Sequence, residues 1–152
     1  MSREANALRF TYNMERFAKQ IYLTQRGAFR GSEVEERLKR ASENEWQHVE
    51  YLQERITGLG ESPSRLGWLF QTAGRIAGLI SRCPGRLFIL RADIWIERRA
   101  IKDYGDYLER LDFDEETVGL IRRIIADEER HVETWQNSIE IVKGKEKASE
   151  SK

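Results

Sequence analysis

The chain has 152 residues, 34% of them charged, with 26 acidic side chains balancing 26 basic ones. That balance leaves no net field to attract nucleic acid, and the length suits one domain around one core. A single cysteine, Cys83, excludes an internal disulfide and any paired-cysteine metal ribbon, and fits a reducing compartment.

Four long stretches carry helical periodicity, and neither a β-strand pattern nor a tandem repeat competes with them. The first is expected from about Arg3 to Phe29, with Leu8, Tyr12, Ala18, Tyr22 and Phe29 on one stripe. Gly27 and Gly31 mark a turn, and Ser32 with Glu35 forms a capping-box signature for the second helix. That helix aligns Leu38, Ala41, Leu52 and Ile56 and stops at Gly58 and Gly60. Ser62-Pro63 then opens a shorter, weakly charged segment, RLGWLFQTAGRIAGLI, which Pro84-Gly85 ends. The third long helix carries Leu87, Leu90, Ile94, Ile101, Tyr104, Leu108 and Leu111. DFDEE (112–116) reads as a turn and an acidic helix start. The fourth long helix carries Leu120, Ile121, Ile124, Ile125, Val132, Trp135, Ile139 and Val142. The expected architecture is all-α: a four-helix bundle over 1–143, an extra apolar helical segment in the long crossover between the second and third long helices, and a disordered polar tail over 144–152.

The acids are on unexpected faces. In the second helix the apolar series runs Leu38, Ala41, Glu45, His48, Leu52, Ile56, in steps of three and four. The fourth repeats the pattern through Ile121, Ile124, Glu128, His131, Trp135 and Ile139. The third places Glu97 between Ile94 and Ile101, and the first places Glu15 between Tyr12 and Ala18. Taken singly, a Glu-x-x-His on a charged helix is a solvated pair. Two such pairs and two lone acids, one set on each apolar stripe, demand a different account.

Removing a carboxylate from water costs several kcal/mol unless its charge is compensated, and four facing one core repel each other. Two divalent cations remove the difficulty. One Glu from each of two helices, plus Glu-x-x-His from each of the others, is the ligand pattern of di-iron and di-manganese carboxylate bundles. The expected metal ligands are Glu15, Glu45, His48, Glu97, Glu128 and His131, with two iron ions as cofactor and manganese as the alternative; structural zinc favours cysteine and a closed tetrahedron.

Other residues carry weaker signals. Tyr104, two turns after Glu97, is either a hydrogen-bond donor to a ligand or an ordinary core tyrosine. Asp93 is expected to pair with a basic residue at the surface rather than to add an acid near the metals. Tyr22, Trp46 and Trp135 are expected to be packing. Asp127, Glu129 and Arg130 read as solvent-facing charge or as support for the ligands, and Cys83 carries no nucleophile motif.

At this point the residues resemble a known family. The chain is similar to the ferritin-like di-iron superfamily and, within it, to the demethoxyubiquinone hydroxylases of ubiquinone biosynthesis. ERFAKQIYLTQ (15–25) resembles that family's first metal helix, ENEWQHVEYL its second, WIERRAIKDYGDYL its third and IRRIIADEERHVETW its last. The long glycine-dotted connection from His48 to Glu97 is similar too, and the likeness covers most of residues 8–136. Two features depart from the family: the approach to the first ligand is TYNME, and Asp103 stands where a histidine is expected. Both bear on the organic substrate rather than on the metal ligands.

The resemblance implies an O2-dependent di-iron monooxygenase acting on a quinone-type ring, the six ligands acting through the metals and Glu97 moving between terminal and bridging positions. The alternatives are a rubrerythrin-like peroxide or O2 reductase and an iron-handling ferritin-like protein. The expected partners are O2, a quinone-like molecule and a membrane surface met by residues 65–90, where Trp68, Leu69, Phe70, Ile76, Leu79 and Ile80 are apolar. Arg65, Arg75, Arg82 and Arg86 would reach toward anionic headgroups. Gly67, Gly74 and Gly78 would allow close helix contact or passage of an isoprenoid tail. Burial of this segment on the bundle or on a second subunit of a homo-oligomer is the competing expectation. No run of about 18 apolar residues occurs, and MSREANALRF lacks the apolar core of a secretory signal. The expected location is cytoplasmic or peripheral on the inner face of a membrane.

Overall fold

A computed structural model describes residues 2–150. Helix α1 (Arg3–Gln25) starts where the Ser2 side chain accepts the Ala5 N–H at 3.1 Å. It ends earlier than the sequence suggests, because Arg26–Ala28 tighten into a 3-10 turn. Helix α2 (Glu33–Gly58) follows, without the expected capping box. The Ser32 hydroxyl turns back to the Phe29 carbonyl at 2.6 Å, and Glu35 takes the N–H of Gly31 instead. The tight turn, with Gly31 at φ +72°, leaves the Phe29 carbonyl in reach of Ser32.

The other end of α2 follows the sequence closely. Gly60, at φ +74°, donates to Thr57 and Glu61 donates to Ile56, the paired bonds of a Schellman stop. Helix α3 spans Gly67–Ile80 and opens four residues after Pro63. The intervening residues are fastened to α1: Arg9 binds the Ser62 carbonyl and Glu61, both at 2.7 Å, and Asn13 donates to Ser64 at 3.0 Å. Helix α4 (Arg86–Arg110) begins after Gly85, whose φ of +105° favours glycine. Asp114 caps α5 (Glu115–Glu150) by accepting the Thr117 N–H at 2.8 Å. The polar run read as a disordered tail is helical as far as Glu150; its Ala, Glu and Lys residues have high helix propensity. Residues 151 and 152 lie outside the described residues.

Cross-helix contacts give the direction of each helix. Tyr12 meets Gln53 while Glu15 meets His48, so α1 and α2 are antiparallel. Tyr22 meets Glu97 while Tyr104 meets Glu15, so α4 is antiparallel to α1 as well. Helices α2 and α4 therefore run the same way, and joining them takes a crossover. Helix α3 is that crossover, lying along α1 and parallel to it. Around the bundle α1 neighbours α2, α2 neighbours α5 and α5 neighbours α4, whereas α1 and α4 barely touch.

The glycines of α3 are what let it lie so close. A Cβ on Gly74 would sit 2.4 Å from the Phe17 carbonyl oxygen, and one on Gly78 would sit 2.9 Å from the Thr24 Cβ. The opposite face of α3 is exposed, with Trp68 at 62% and Ile80 at 64%. Arg75 and Arg86 turn to α1 and its following turn, bonding the Gln20 side chain and the Ala28 carbonyl. No helix among the described residues is long and apolar enough to cross a membrane.

Two apolar clusters fill the bundle. One gathers Ile21, Tyr22, Phe29, Leu38, Leu90 and Trp135; the other gathers Leu8, Leu52, Ile56, Tyr104, Ile121 and Ile124. A polar layer separates them. The α1–α3 contact is open to a direct test. Replacing glycine by alanine in a helix normally stabilises by about 1 kcal/mol. Gly119, with open space around it, is expected to follow that rule. Gly74→Ala is expected to destabilise by about 1–3 kcal/mol, because the closest atom, the Phe17 carbonyl oxygen, is backbone and cannot swing aside. Denaturant unfolding of the two variants, which should move in opposite directions, checks this.

Candidate metal centre

Each long helix sends a carboxylate into the polar layer, and each of these residues sits on the apolar stripe that the sequence marks. Glu15, Glu45, His48, Glu97 and Glu128 are at most 2% exposed, and His131 is 8% exposed. Potential donor atoms of Glu15, Glu45, His48 and Glu128 lie within 4.8 Å of one another, as do those of Glu45, Glu97, Glu128 and His131. Glu45 and Glu128, from the two Glu-x-x-His helices, belong to both sets. Glu97 belongs to one.

The two imidazoles face inward through Nδ1. His48 Nδ1 lies 3.3 Å from oxygens of Glu15, Glu45 and Glu128. His131 Nδ1 lies 2.9 Å from Glu128 and 3.1 Å from Glu45 and Glu97. A single N–H cannot serve three carboxylates. Neither oxygen of Glu45 has a hydrogen-bond partner, although both are buried. Orphaned carboxylate oxygens, converging Nδ1 atoms and an oxygen-rich donor set suit a pair of hard cations, with Glu45 and Glu128 available to both. The residues fit the group.

Electrostatics point the same way. Burial, followed by the charges of Glu128 and Glu45, holds Glu15 well above the usual carboxylate range. Burial and Glu128 do the same to Glu97. Burial also pushes Glu45 upward, but the Glu15 carboxyl and both imidazoles outweigh it and leave Glu45 low. Burial works against a charge on either histidine, yet Glu128 and the other carboxylates keep both imidazoles well above the usual range. With no other cation among these side chains, the layer neutralises itself with protons.

Tyrosines brace the single acids reciprocally. Tyr104 on α4 donates to Glu15 on α1, and Tyr22 on α1 donates to Glu97 on α4. Burial, and then the carboxylate each one faces, raises both phenols well above their usual pKa, so they remain donors. Tyr104 thus takes the hydrogen-bonding role. Tyr22 is not mere packing, and the sequence held the signal: Glu15 and Tyr22 have the same seven-residue spacing as Glu97 and Tyr104. Trp135 does pack, with its ring 5.3 Å from that of Tyr22, and Trp46 lies beneath the Lys19 ammonium.

Asp127 accepts from the outer nitrogen of His48 at 2.9 Å and is itself held by Arg130, so both support the site. Glu129 is exposed. Asp93 corrects an expectation: it is fully buried rather than paired at the surface, and it accepts from the Gln25 amide at 2.9 Å. Among the described residues no basic side chain pairs with it, because position 93 lies one turn before Glu97 on the inward face of α4.

A cavity of about 280 Å³ fills the gap where α1 and α4 separate. Phe10, Met14, Phe17, Trp95, Ile96 and Ala100 form its apolar walls, and its floor is Glu15, Glu45, Glu97, Glu128 and Tyr104. Asp103, at the position departing from the family, lies on the wall and pairs with Arg99 at 2.8 Å.

Residues 3–144 match the model of a family described as ubiquinone biosynthesis protein COQ7. The chain belongs to the COQ7 family. It is 30% identical over 135 residues to a 3-demethoxyubiquinol 3-hydroxylase of Pseudomonas fluorescens, covering 86% of this chain and 61% of that protein. With the enzyme of the same name from Paracidovorax citrulli the identity is 29% over 137 residues, covering 86% and 65%. The chain therefore spans less than two thirds of the length of these COQ7-type relatives. Among solved structures it superposes on the bacterioferritin-related protein of Bacteroides fragilis, described as a dodecameric thioferritin. The TM-score is 0.74 and the identity 18%, over 95% of this chain and 89% of that one. That likeness establishes a ferritin-like fold for this COQ7 member.

Asp93 yields a prediction about pH. Burial raises its carboxyl to about 8 against the downward pull of Gln25. Between an unfolded value of about 3.9 and this folded value, only the folded chain keeps the proton, so this group's contribution to stability falls as pH rises through that window. Asp93→Asn removes the effect. Relative to the parent, the metal-free variant is expected to be on the order of a few kcal/mol more stable near pH 8 than near pH 5. Denaturant unfolding at both pH values checks this, and a pH-independent difference would refute it.

Proposed function

We propose that this chain holds two iron ions in the carboxylate layer and hydroxylates a quinol-type ring, as the names of its relatives suggest. The observation that carries the proposal is the apolar gap between α1 and α4, which ends on the carboxylates themselves. Glu15, Glu45, His48 and Glu128 would hold one metal, and Glu45, Glu97, Glu128 and His131 the other. Manganese could occupy the same donors. A reduced di-iron pair supplies O2 reduction when bound.

The chain's own part is binding, orientation and exclusion of water. Its cavity is larger than the roughly 150 Å³ that encloses a benzene ring, so one substituted ring fits against Ala100 and Ile96. The apolar walls keep bulk water from the layer. Tyr104 fixes the Glu15 carboxylate from the cavity side, and Tyr22 fixes Glu97 from the opposite, closed side. Asp127 orients the His48 ring through Nε2, leaving Nδ1 for the metal.

The test combines metal binding with turnover. Protein loaded with iron anaerobically and given O2 and a short-chain demethoxyquinol is expected to yield the hydroxylated ring. Rapid peroxide consumption with no such product would favour the peroxide-reductase alternative. Glu128→Ala is expected to lose the two-iron stoichiometry and the activity together; two irons per chain retained in that variant would sink the ligand assignment.

The outward face of α3 is proposed to rest on a lipid surface. Trp68, Ile76 and Ile80 are exposed there, and Trp95, 68% exposed on α4, stands at the cavity mouth. A greasy quinol would then enter without crossing water. Wild-type protein is expected to float with phospholipid vesicles, and a Trp68→Glu, Ile80→Glu double variant to stay behind. If the variant instead changes only the sedimentation coefficient, that face joins two copies of the chain.

A further inference from the structure

The two Glu-x-x-His segments take equivalent places on α2 and α5, and the residue before each glutamate differs. The residue before Glu128 is Asp127, which takes the Nε2 hydrogen of His48 across the α2–α5 interface. The residue before Glu45 is Asn44, at the equivalent place opposite His131. Asn44 makes no hydrogen bond to that ring; its amide points to Asp127 at 3.5 Å. His131 Nε2 therefore has no hydrogen bond among the described residues and opens outward from the bundle.

The outer edge of His131 faces a pocket of about 450 Å³ between α2 and α5. Arg37, Arg40 and Arg130 line it together with Asn44, Asn137 and Thr134, and no carboxylate does. Glu33 and Asp127 hold Arg37 and Arg130 in place from outside the lining. Arg40 has no partner among the described residues. The pocket opens on the side of the bundle opposite the α1–α4 gap, away from the apolar face of α3.

We infer that this pocket binds a small oxyanion of the phosphate class, which accepts the Nε2 hydrogen of His131 and is held by Arg40 with help from Arg37 and Arg130. The anion would stand where Asp127 stands for His48. A guanidinium and an imidazole N–H converging on one volume suit phosphate, whose oxygens accept several charge-assisted bonds at once. With Nδ1 turned inward to Glu45, Glu97 and Glu128, Nε2 is the nitrogen that His131 presents to the pocket. The inference rests on the pocket and not on the proposed reaction.

The chain has only two histidines, so isotope-labelled imidazoles report on it directly. Inorganic phosphate is titrated at fixed pH and constant ionic strength into the metal-free protein, and again into protein loaded with diamagnetic zinc. The His131 ring signals are expected to shift saturably while those of His48 stay in place. Arg40→Ala should weaken the apparent affinity about tenfold, the effect of losing one charge-assisted bond. Asn44→Asp should remove the phosphate response, since it supplies the missing acceptor and repels the anion. Phosphatidylglycerol vesicles in place of phosphate are expected to leave His131 unmoved. An unresponsive His131, equal drift of both rings, full affinity in Arg40→Ala, or a response to the lipid alone would overturn the inference. Iron stoichiometry and turnover are not read in this experiment, so its failure leaves the proposed reaction standing.

Discussion

Four carboxylates in one buried layer are the constraint on which the rest of this molecule depends. Each is worth several kcal/mol of lost hydration unless something compensates, and their mutual repulsion adds to that. The bundle answers with what surrounds the layer. Two imidazoles lean in, two tyrosines donate from opposite helices, and apolar clusters above and below fix the helices so that the acids cannot swing out to water. Protons alone leave the job incomplete, as the orphaned oxygens of Glu45 show. The arrangement gives up stability in order to present a concentrated, pre-shaped donor set.

That constraint also explains the asymmetry of the bundle. Two of the four helix interfaces, α1–α2 and α4–α5, close tightly, α2–α5 is looser, and α1–α4 separates most. Helix α3 makes the separation tolerable, because its glycines let it lie flush on α1 and tie that helix down from outside. One side of the acid layer thus opens onto apolar walls, while the α2–α5 side is polar and rich in guanidinium groups. A greasy ring and a small anion would approach the same layer from opposite directions, each meeting a surface of its own chemistry.

Much of the site was readable because helical periodicity is local. Steps of three and four residues put Glu15, Glu45, His48, Glu97, Glu128 and His131 on apolar faces whatever the helices pack against. The same reasoning went wrong where the answer lay across an interface. Asp93 was expected to pair with a basic residue at the surface, yet its helix face is the inward one. Tyr22 looked like filling because its partner is 75 residues away on α4. The Ser32 cap failed on backbone geometry, since the turn before it competes for the hydroxyl.

The sequence by itself therefore determined an all-helical bundle, the six inward-facing Glu and His side chains and an apolar crossover, since each follows from spacing within a single helix. The tertiary structure alone decided which carboxylates are shared, which tyrosine braces which acid, and where the layer is open. Those depend on the distances between helices, and side chains far apart in the chain set them: the glycines of α3 against α1, the aromatic rings around Trp135, and Asp127 reaching His48 from the facing helix.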